Sequence, residues 1–419
     1  MTVPAVLRLP GFGRLLGAYS INELGDWLGI VALAVLVFDE TRSPLAAALL
    51  FLGTGFVPAL LSPPLVSRAE PFGGRSALAA LYGLEAVVFL ALALLAGSFA
   101  LAPVVVLATV DAALALAARS MNRAIAAAVL TPSGRLREGN AVLNVGFTCA
   151  AALGPAAGGL AVAGLGARGS LLLDAGSFLA VAAIVATAGG LPDVRAERSP
   201  WAERLRTALS YVRERALLRR LLAAQAAASV FFMAVVPIEV VYAKQTLGVG
   251  DSGYGALLAA WGAGMVVGSV GFALARRLSL RVLLLVSTLT VACSYLGLAG
   301  AGGLLVACAC AVVGGAGNGV EWVALMTAVQ ELTPEHLQGR VGALLQSLVA
   351  AMTGLGFAIG GAVAAALSTR AAFLVAGAGT LAVVAAAAPR LRAMAPAARR
   401  PRPAEAAGEP IPQHGTLGG

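Results

Sequence analysis

Lysine occurs once in this chain, as Lys244 in "YAKQT", so no Gly-x-x-x-x-Gly-Lys loop is present to cradle phosphates and ATP hydrolysis is excluded. Histidine occurs twice, His336 in a loop and His414 in the tail, which gives no basis for a metal cluster or a Ser/His/Asp triad. Charged residues make up 12% of the chain, against roughly 25% in a soluble domain. No soluble catalytic domain fits that composition, so the expectation is a non-enzyme with no cofactor and no metal. The four cysteines, Cys149, Cys293, Cys308 and Cys310, all lie in apolar runs, where they read as packing residues rather than a disulfide framework. "CAC" at 308–310 sets its two sulfurs about 200° apart around a helix, a poor arrangement for a shared metal. The first apolar stretch contains acids and lacks a small-residue cleavage site, which argues against a secretory signal.

What fills the chain instead is apolar sequence: 59% of its residues are hydrophobic and the mean hydropathy is +0.90. Runs of about 20 apolar residues cross a bilayer core as helices, and they recur from end to end. The spans read 15–38, 44–66, 76–97, 101–122, 141–164, 170–190, 217–241, 253–275, 280–300, 303–325, 341–366 and 370–389. The expectation is an all-α polytopic membrane protein with twelve transmembrane helices. Arginines cluster in alternate loops, and placing the N-terminus inside leaves only Arg42, Arg168, Lys244 and Arg370 on the outer side. Both termini are therefore expected in the cytoplasm, and the net charge of +9 reflects topology, with no nucleic-acid partner implied.

The organisation is two-fold. Residues 1–190 form a first six-helix half and 217–389 a second. Between them, 191–216 is a charged cytoplasmic loop in which Trp201, Leu205, Leu209 and Val212 recur at helical spacing, an amphipathic surface helix. Residues 390–419 form a tail rich in Pro, Ala and Arg, expected to be disordered. Laid over itself so that Thr131–Pro132 meets Thr333–Pro334, the chain also brings Gly154, Gly158 and Gly159 onto Gly356, Gly360 and Gly361, and Arg168 onto Arg370, without a gap. Both copies cross in the same direction, a parallel repeat about an axis along the membrane normal, with substrate expected near the midplane between the halves.

These features resemble the major facilitator superfamily, and within it the drug- and siderophore-exporting branch. "GPAAGG" (Gly154, Pro155, Gly158, Gly159) resembles the end of the antiporter signature, although Ala141 and Ala150 stand where that pattern prefers glycine. "NELGDW" at 22–27, "LREGNAVLN" at 136–144 and "GRVGALLQSL" at 339–348 are similar to other elements of this group. The helix 2–3 loop departs from it: in "PPLVSRAEPFGGRSAL", Arg68, Gly74 and Arg75 keep part of the conformational-loop pattern, Ser67 replaces the expected acid, and Glu70 is its candidate substitute.

Ionisable groups within a bilayer helix cost about 2.5–3.5 kcal/mol on insertion scales and mark candidate functional positions. On helix 1, Tyr19, Asn22, Glu23 and Asp26 share one broad face at i, i+4 spacing. This face is expected to look into the pathway, with Asp26 the first choice of proton carrier and Glu23 the second. Arg119 on helix 4 resembles the arginine that family antiporters place beside a proton-carrying acid. The internal repeat maps it onto Glu321, and the two are expected to pair across the pathway in one conformation. Asp111 joins these candidates, with Asn318 and Trp322 as substrate contacts; Glu85, Asp174 and Glu239 read as peripheral, structural or gate groups. The glycine pairs, including Gly315 and Gly319, read first as close helix packing.

The resulting expectation is a secondary transporter that exports a small amphipathic compound in exchange for protons by alternating access, as a monomer in a bacterial inner membrane. Its partners are the substrate, protons and the lipid bilayer. An uptake symporter or facilitator of the same fold, and a membrane binding or regulatory protein that has lost transport, are the alternatives.

Overall fold

The computed structural model describes residues 6–55, 57–58, 74–189, 191, 201–275 and 278–390. In chain order α1 spans Phe12–Thr41, α2 Pro44–Gly55, α3 Gly74–Leu95 and α4 Leu101–Leu130. The stretch Leu136–Ala186 carries both α5 and α6. A surface helix, Trp201–Glu214, precedes α7 (Ala216–Thr246), α8 (Asp251–Leu274), α9 (Leu280–Gly300), α10 (Leu304–Glu331), α11 (Glu335–Ala366) and α12 (Thr369–Arg390). Such helices form because every backbone group must be satisfied within its own segment when lipid surrounds it.

The division of Leu136–Ala186 follows from what its two ends touch. Gly154 packs on Trp27, while Asp174 reaches Gly25 and Gly29, all near the middle of α1. Twenty residues of straight helix would separate Gly154 from Asp174 by about 30 Å. The chain therefore folds back between them, at Gly166, whose φ of 69° and ψ of 171° interrupt the helix. Among the described residues ten helices are long and apolar enough to cross a membrane, Leu153–Ala186 being counted among them as one. With that stretch resolved into two and the shorter apolar α2 included, the twelve spans are accounted for.

Several ends depart from the hydropathy reading. Helix α4 runs to Leu130 rather than 122, α10 to Glu331 rather than 325, and α11 begins at Glu335 rather than 341. Hydropathy marks where lipid stops; an alanine-rich helix keeps its backbone bonds beyond that boundary. The second half of the expected span 44–66 lies outside the described residues, as do Arg68 and Glu70. So does the tail beyond Arg390.

The repeat is written in contacts as well as in sequence. Gly154 and Gly158 pack on Trp27 and Val31 of α1, and Gly356 and Gly360 pack on Val230 and Ala234 of α7. At the start of α3, Arg75 donates to the Ala188 carbonyl beyond α6 at 3.4 Å; at the start of α9, Arg281 donates to the Ala388 carbonyl in α12 at 3.1 Å. The surface helix is docked on the second half, with Ala208 and Val212 buried beside Leu218 and Leu325, and Tyr211 donating to the Leu332 carbonyl.

Contacts between the halves gather at the end where α1 stops. Gly159 of α5 meets Gly255 of α8 backbone to backbone, and Gly361 of α11 meets Ala48 of α2. Phe51 of α2 and Phe357 of α11 have ring centroids 5.6 Å apart. Lys244 of α7 reaches Asp39 of α1 at 2.7 Å and Asp251 of α8 at 2.5 Å. At the opposite end Arg14 donates to the Thr187 carbonyl within the first half, and the two arginine staples above each stay within one half.

Candidate functional site

Inside the first half, α1 turns Asn22, Glu23 and Asp26 toward α4. Arg119 Nε lies 2.7 Å from Glu23 Oε1, and Arg119 Nη2 lies 2.6 Å from Asp26 Oδ2. The Nη2 contact is a well-formed hydrogen bond, and Asn22 Nδ2 donates to the same Asp26 oxygen at 3.2 Å. The Glu23 side chain is completely buried, that of Asp26 is 13% exposed and that of Arg119 is 33% exposed, so the arginine is the side of the cluster that meets open space. Tyr19, also buried, stands one turn before Glu23 and next to Arg123.

Behind this cluster sit more carboxyl groups. Glu85 of α3 faces Asp111, Asp26, Asp174 and Arg119, and among the described residues neither of its oxygens has a hydrogen-bond partner. Asp111 and Asp174 are buried as well. Asp174 accepts from the Ser177 hydroxyl at 3.1 Å and fits against α1 because Gly25 and Gly29 have no side chains: a Cβ on either would lie 2.5–2.6 Å from an Asp174 oxygen. Several buried carboxylate oxygens of this core, among them Asp111 Oδ1 and Asp174 Oδ2, have no hydrogen-bond partner among the described residues. Native interiors tolerate few such atoms, and each calls for a physical reason.

In the conformation the structure describes, Arg119 is not paired with Glu321. Arg119 is bonded to Glu23 and Asp26 within its own half, while Glu321 lines a separate cavity with Gln225 and Thr288 in the other half. Equivalent positions in a pseudo-symmetric protein share an environment, which does not bring them into contact. Asn318 is half-buried and Trp322 is 38% exposed on α10. Gly315 and Gly319 of that helix press against the backbone of α8 at Trp261 and Met265, in keeping with close packing. Gly74 is buried at the start of α3.

Two groups were not singled out from the sequence. Lys244 was read only as an outer-side cation, although Asp39 and Asp251 close the two neighbouring helix ends and were available as partners. Gln225 of α7 donates to the Ser229 hydroxyl at 3.4 Å and lines the cavity beside Glu321, a placement that no local pattern in α7 signalled.

The architecture is that of a polytopic membrane transporter built from two like halves. Residues 15–349 match the Major Facilitator Superfamily, and the chain belongs to that family. It is 27% identical over 365 residues to the multidrug efflux pump Tap of Mycolicibacterium fortuitum, covering 84% of this chain and 88% of that protein. Among solved structures it is similar to a bacterial homologue of the iron transporter ferroportin in an inward-facing state (TM-score 0.71, 14% identity, 94% of this chain and 100% of the other). It is also similar to a POT family transporter in complex with 5-aminolevulinic acid (TM-score 0.71, 11% identity, 92% and 99%). The nucleoside transporter NupG aligns with a TM-score of 0.66 at 10% identity over 94% of this chain and all of the other. Cargoes so different on one architecture mean that these likenesses speak for the fold alone.

Proposed function

We propose that this protein is a proton-driven exporter of a small amphipathic compound, lying in a bacterial inner membrane with both termini in the cytoplasm. The observation that carries the reading is Arg119 held between Glu23 and Asp26 with part of its side chain open. An arginine that neutralises two carboxylates in a low-dielectric interior responds strongly to the loss of either charge. A proton arriving at Asp26 cancels one of those charges, loosens the guanidinium from it and leaves Arg119 bound to Glu23 alone. When the site turns to the other side the proton leaves and the clamp reforms. Likeness to an efflux pump over most of the chain supports the export direction.

Alternating access is the motion that serves this chemistry: the halves 1–190 and 217–389 rock against each other about the 191–216 connection. In the proposed orientation the end where α1 stops is the outer one. The contacts among Asp39, Lys244 and Asp251, and between Gly159 and Gly255, then describe a protein closed outside and open to the cytoplasm. Reporter tags at Arg206 and Gly408 are expected to read inside, and tags at Gly97, Gly250 and Gly302 outside.

The decisive experiment is ethidium efflux from energised cells expressing the protein. Efflux is expected to stop when a protonophore collapses the gradient and to be lost in Asp26→Asn. Efflux that ignores the protonophore would overturn proton coupling, and accumulation in place of efflux would overturn the direction.

A further inference from the structure

The surface helix meets α7 at a sharp corner. Glu214 ends the one and Ala216 begins the other, with Arg215 between them in an extended conformation (φ −105°, ψ 92°). The corner is fastened from both sides. Tyr211 donates to the Leu332 carbonyl, and Ala208 and Val212 are buried against the second half. The Arg219 guanidinium of α7 reaches back across the corner to the Arg213 carbonyl. The Arg215 guanidinium lies over the Tyr211 ring, 4.9 Å from its centre. Two cationic side chains are therefore held by the fold instead of swinging freely, and a guanidinium that makes one such contact keeps further N–H groups to donate.

These charges have no match in the protein. From residue 206 to residue 220 the sequence holds five arginines and one acid, Glu214. Arg213, Arg215 and Arg219 are exposed, and among the described residues none of them pairs with a carboxylate. Arg119, by contrast, is clamped by two acids. The corner also lies where the charged connection gives way to the apolar span that starts at Ala216, which is the level of lipid headgroups.

We propose that this corner binds the phosphate of an anionic phospholipid, with Arg213, Arg215 and Arg219 as its donors. Guanidinium forks suit phosphate oxygens, which they can engage two bonds at a time. A soluble acidic partner would meet the same charges, but their place at the start of a membrane helix favours lipid. The bound headgroup joins the docked surface helix to the first turn of α7 and so ties the connection between the halves to the bilayer surface. The site stands apart from the export reading, because it involves neither a proton gradient nor a transported compound.

The test uses the purified full-length protein in nanodiscs, with Cys149, Cys293, Cys308 and Cys310 replaced by alanine and a bimane fluorophore on Ser210→Cys. Ser210 is exposed on the surface helix, one turn before Arg213. Quenching is measured with phosphatidylglycerol and with phosphatidylcholine, each carrying a nitroxide high on one acyl chain. Phosphatidylglycerol is expected to quench at a mole fraction about tenfold or more below that of phosphatidylcholine. Each arginine changed to glutamine should lower that preference several-fold, and Arg213→Gln, Arg215→Gln and Arg219→Gln together should abolish it. Quenching by phosphatidylcholine should stay unchanged in the triple variant, since the helix keeps its place. A fall in both signals would mean that the arginines only hold the helix down, and would overturn the site. Arg8→Gln with Arg14→Gln removes exposed charge from the first half and should leave the preference intact. An equal loss there would reduce the effect to overall charge and overturn the proposal. Equal quenching by the two lipids in the parent protein would also overturn it and leave the corner to a soluble acidic partner.

Discussion

The two halves share a backbone plan and differ in what they bury. Where α1, α3, α4 and α6 pack, Glu23, Asp26, Glu85, Asp111 and Asp174 surround Arg119. In the second half, Phe232, Trp261, Tyr295 and Phe373 pack ring against ring, with Trp261 and Tyr295 stacked at 5.9 Å and Tyr242 edge-on to Phe373 at 4.8 Å. Tyr242 donates its hydroxyl to the Leu298 carbonyl, a bond that ties α7 to α9. Aromatic packing of this kind is rigid and indifferent to protons, whereas a core of facing carboxyl groups changes energy with each proton gained or lost. The first half buries a cluster of ionisable groups, while in the second the aromatic packing lies beside Glu239 and Glu321.

The hardest way to break this contrast is to remove Arg119. Arg119→Leu strands Glu23 and Asp26 in a buried place, and the loss of one partner of such a cluster costs about 3 kcal/mol or more. Gradient-driven efflux is expected to vanish and the unfolding temperature to fall clearly. The counterpart change, Glu321→Leu, leaves no charge stranded, so its unfolding temperature should stay near the wild type. Equal destabilisation by the two substitutions would show that the halves do not differ in this way.

Next in size is Asp26→Asn, which keeps shape and polarity but removes the charge that a proton would cancel. This protein is expected to insert normally and to lose coupling, while counterflow exchange, which needs no net proton movement, survives. Undiminished gradient-driven efflux would take Asp26 out of the mechanism and pass the role to Glu23.

A smaller effect separates the signature glycines. Gly154 and Gly158 pack within the first half, but Gly159 touches Gly255 across the divide. Gly159→Leu is expected to impair transport by preventing closure of that end, with membrane insertion intact. Gly361→Leu, which meets the Ala48 side chain instead of backbone, should do the same more weakly.

Much of this was legible beforehand, for physical reasons that also mark where legibility ended. Apolar length is imposed by the bilayer, so the spans could be read directly, including the turn between α5 and α6. Helix ends in water follow backbone bonding, and α4 and α10 therefore overran their hydropathy limits. The polar face of α1 was visible because i, i+4 spacing is a local property. The partner of Arg119 was not local. The repeat pointed to Glu321, yet two positions related by a pseudo-two-fold axis meet only if they lie on that axis, and each of these sits inside its own half. Burial was equally invisible: Glu85, expected to be peripheral, is fully enclosed.

The gentlest test concerns what joins the halves rather than what divides them. Lys244 is the chain's only lysine and bridges Asp39 on one half to Asp251 on its own. Its ammonium is largely shielded, but Asp39 is partly exposed, and pairs of this kind contribute within about 1 kcal/mol. Lys244→Ala is therefore expected to leave folding intact and to shift the balance toward the conformation in which this end is open. The shift can be read from the labelling rate of a cysteine placed at Ala48 after Cys149, Cys293, Cys308 and Cys310 are replaced by alanine, since Ala48 is covered by Gly361 while that end is closed. The rate should rise several-fold in Lys244→Ala, since 1 kcal/mol is about a fivefold change in population, and high salt should raise it in the wild type by screening the same pair. An unchanged rate in both would mean that the glycine crossings alone hold this end shut.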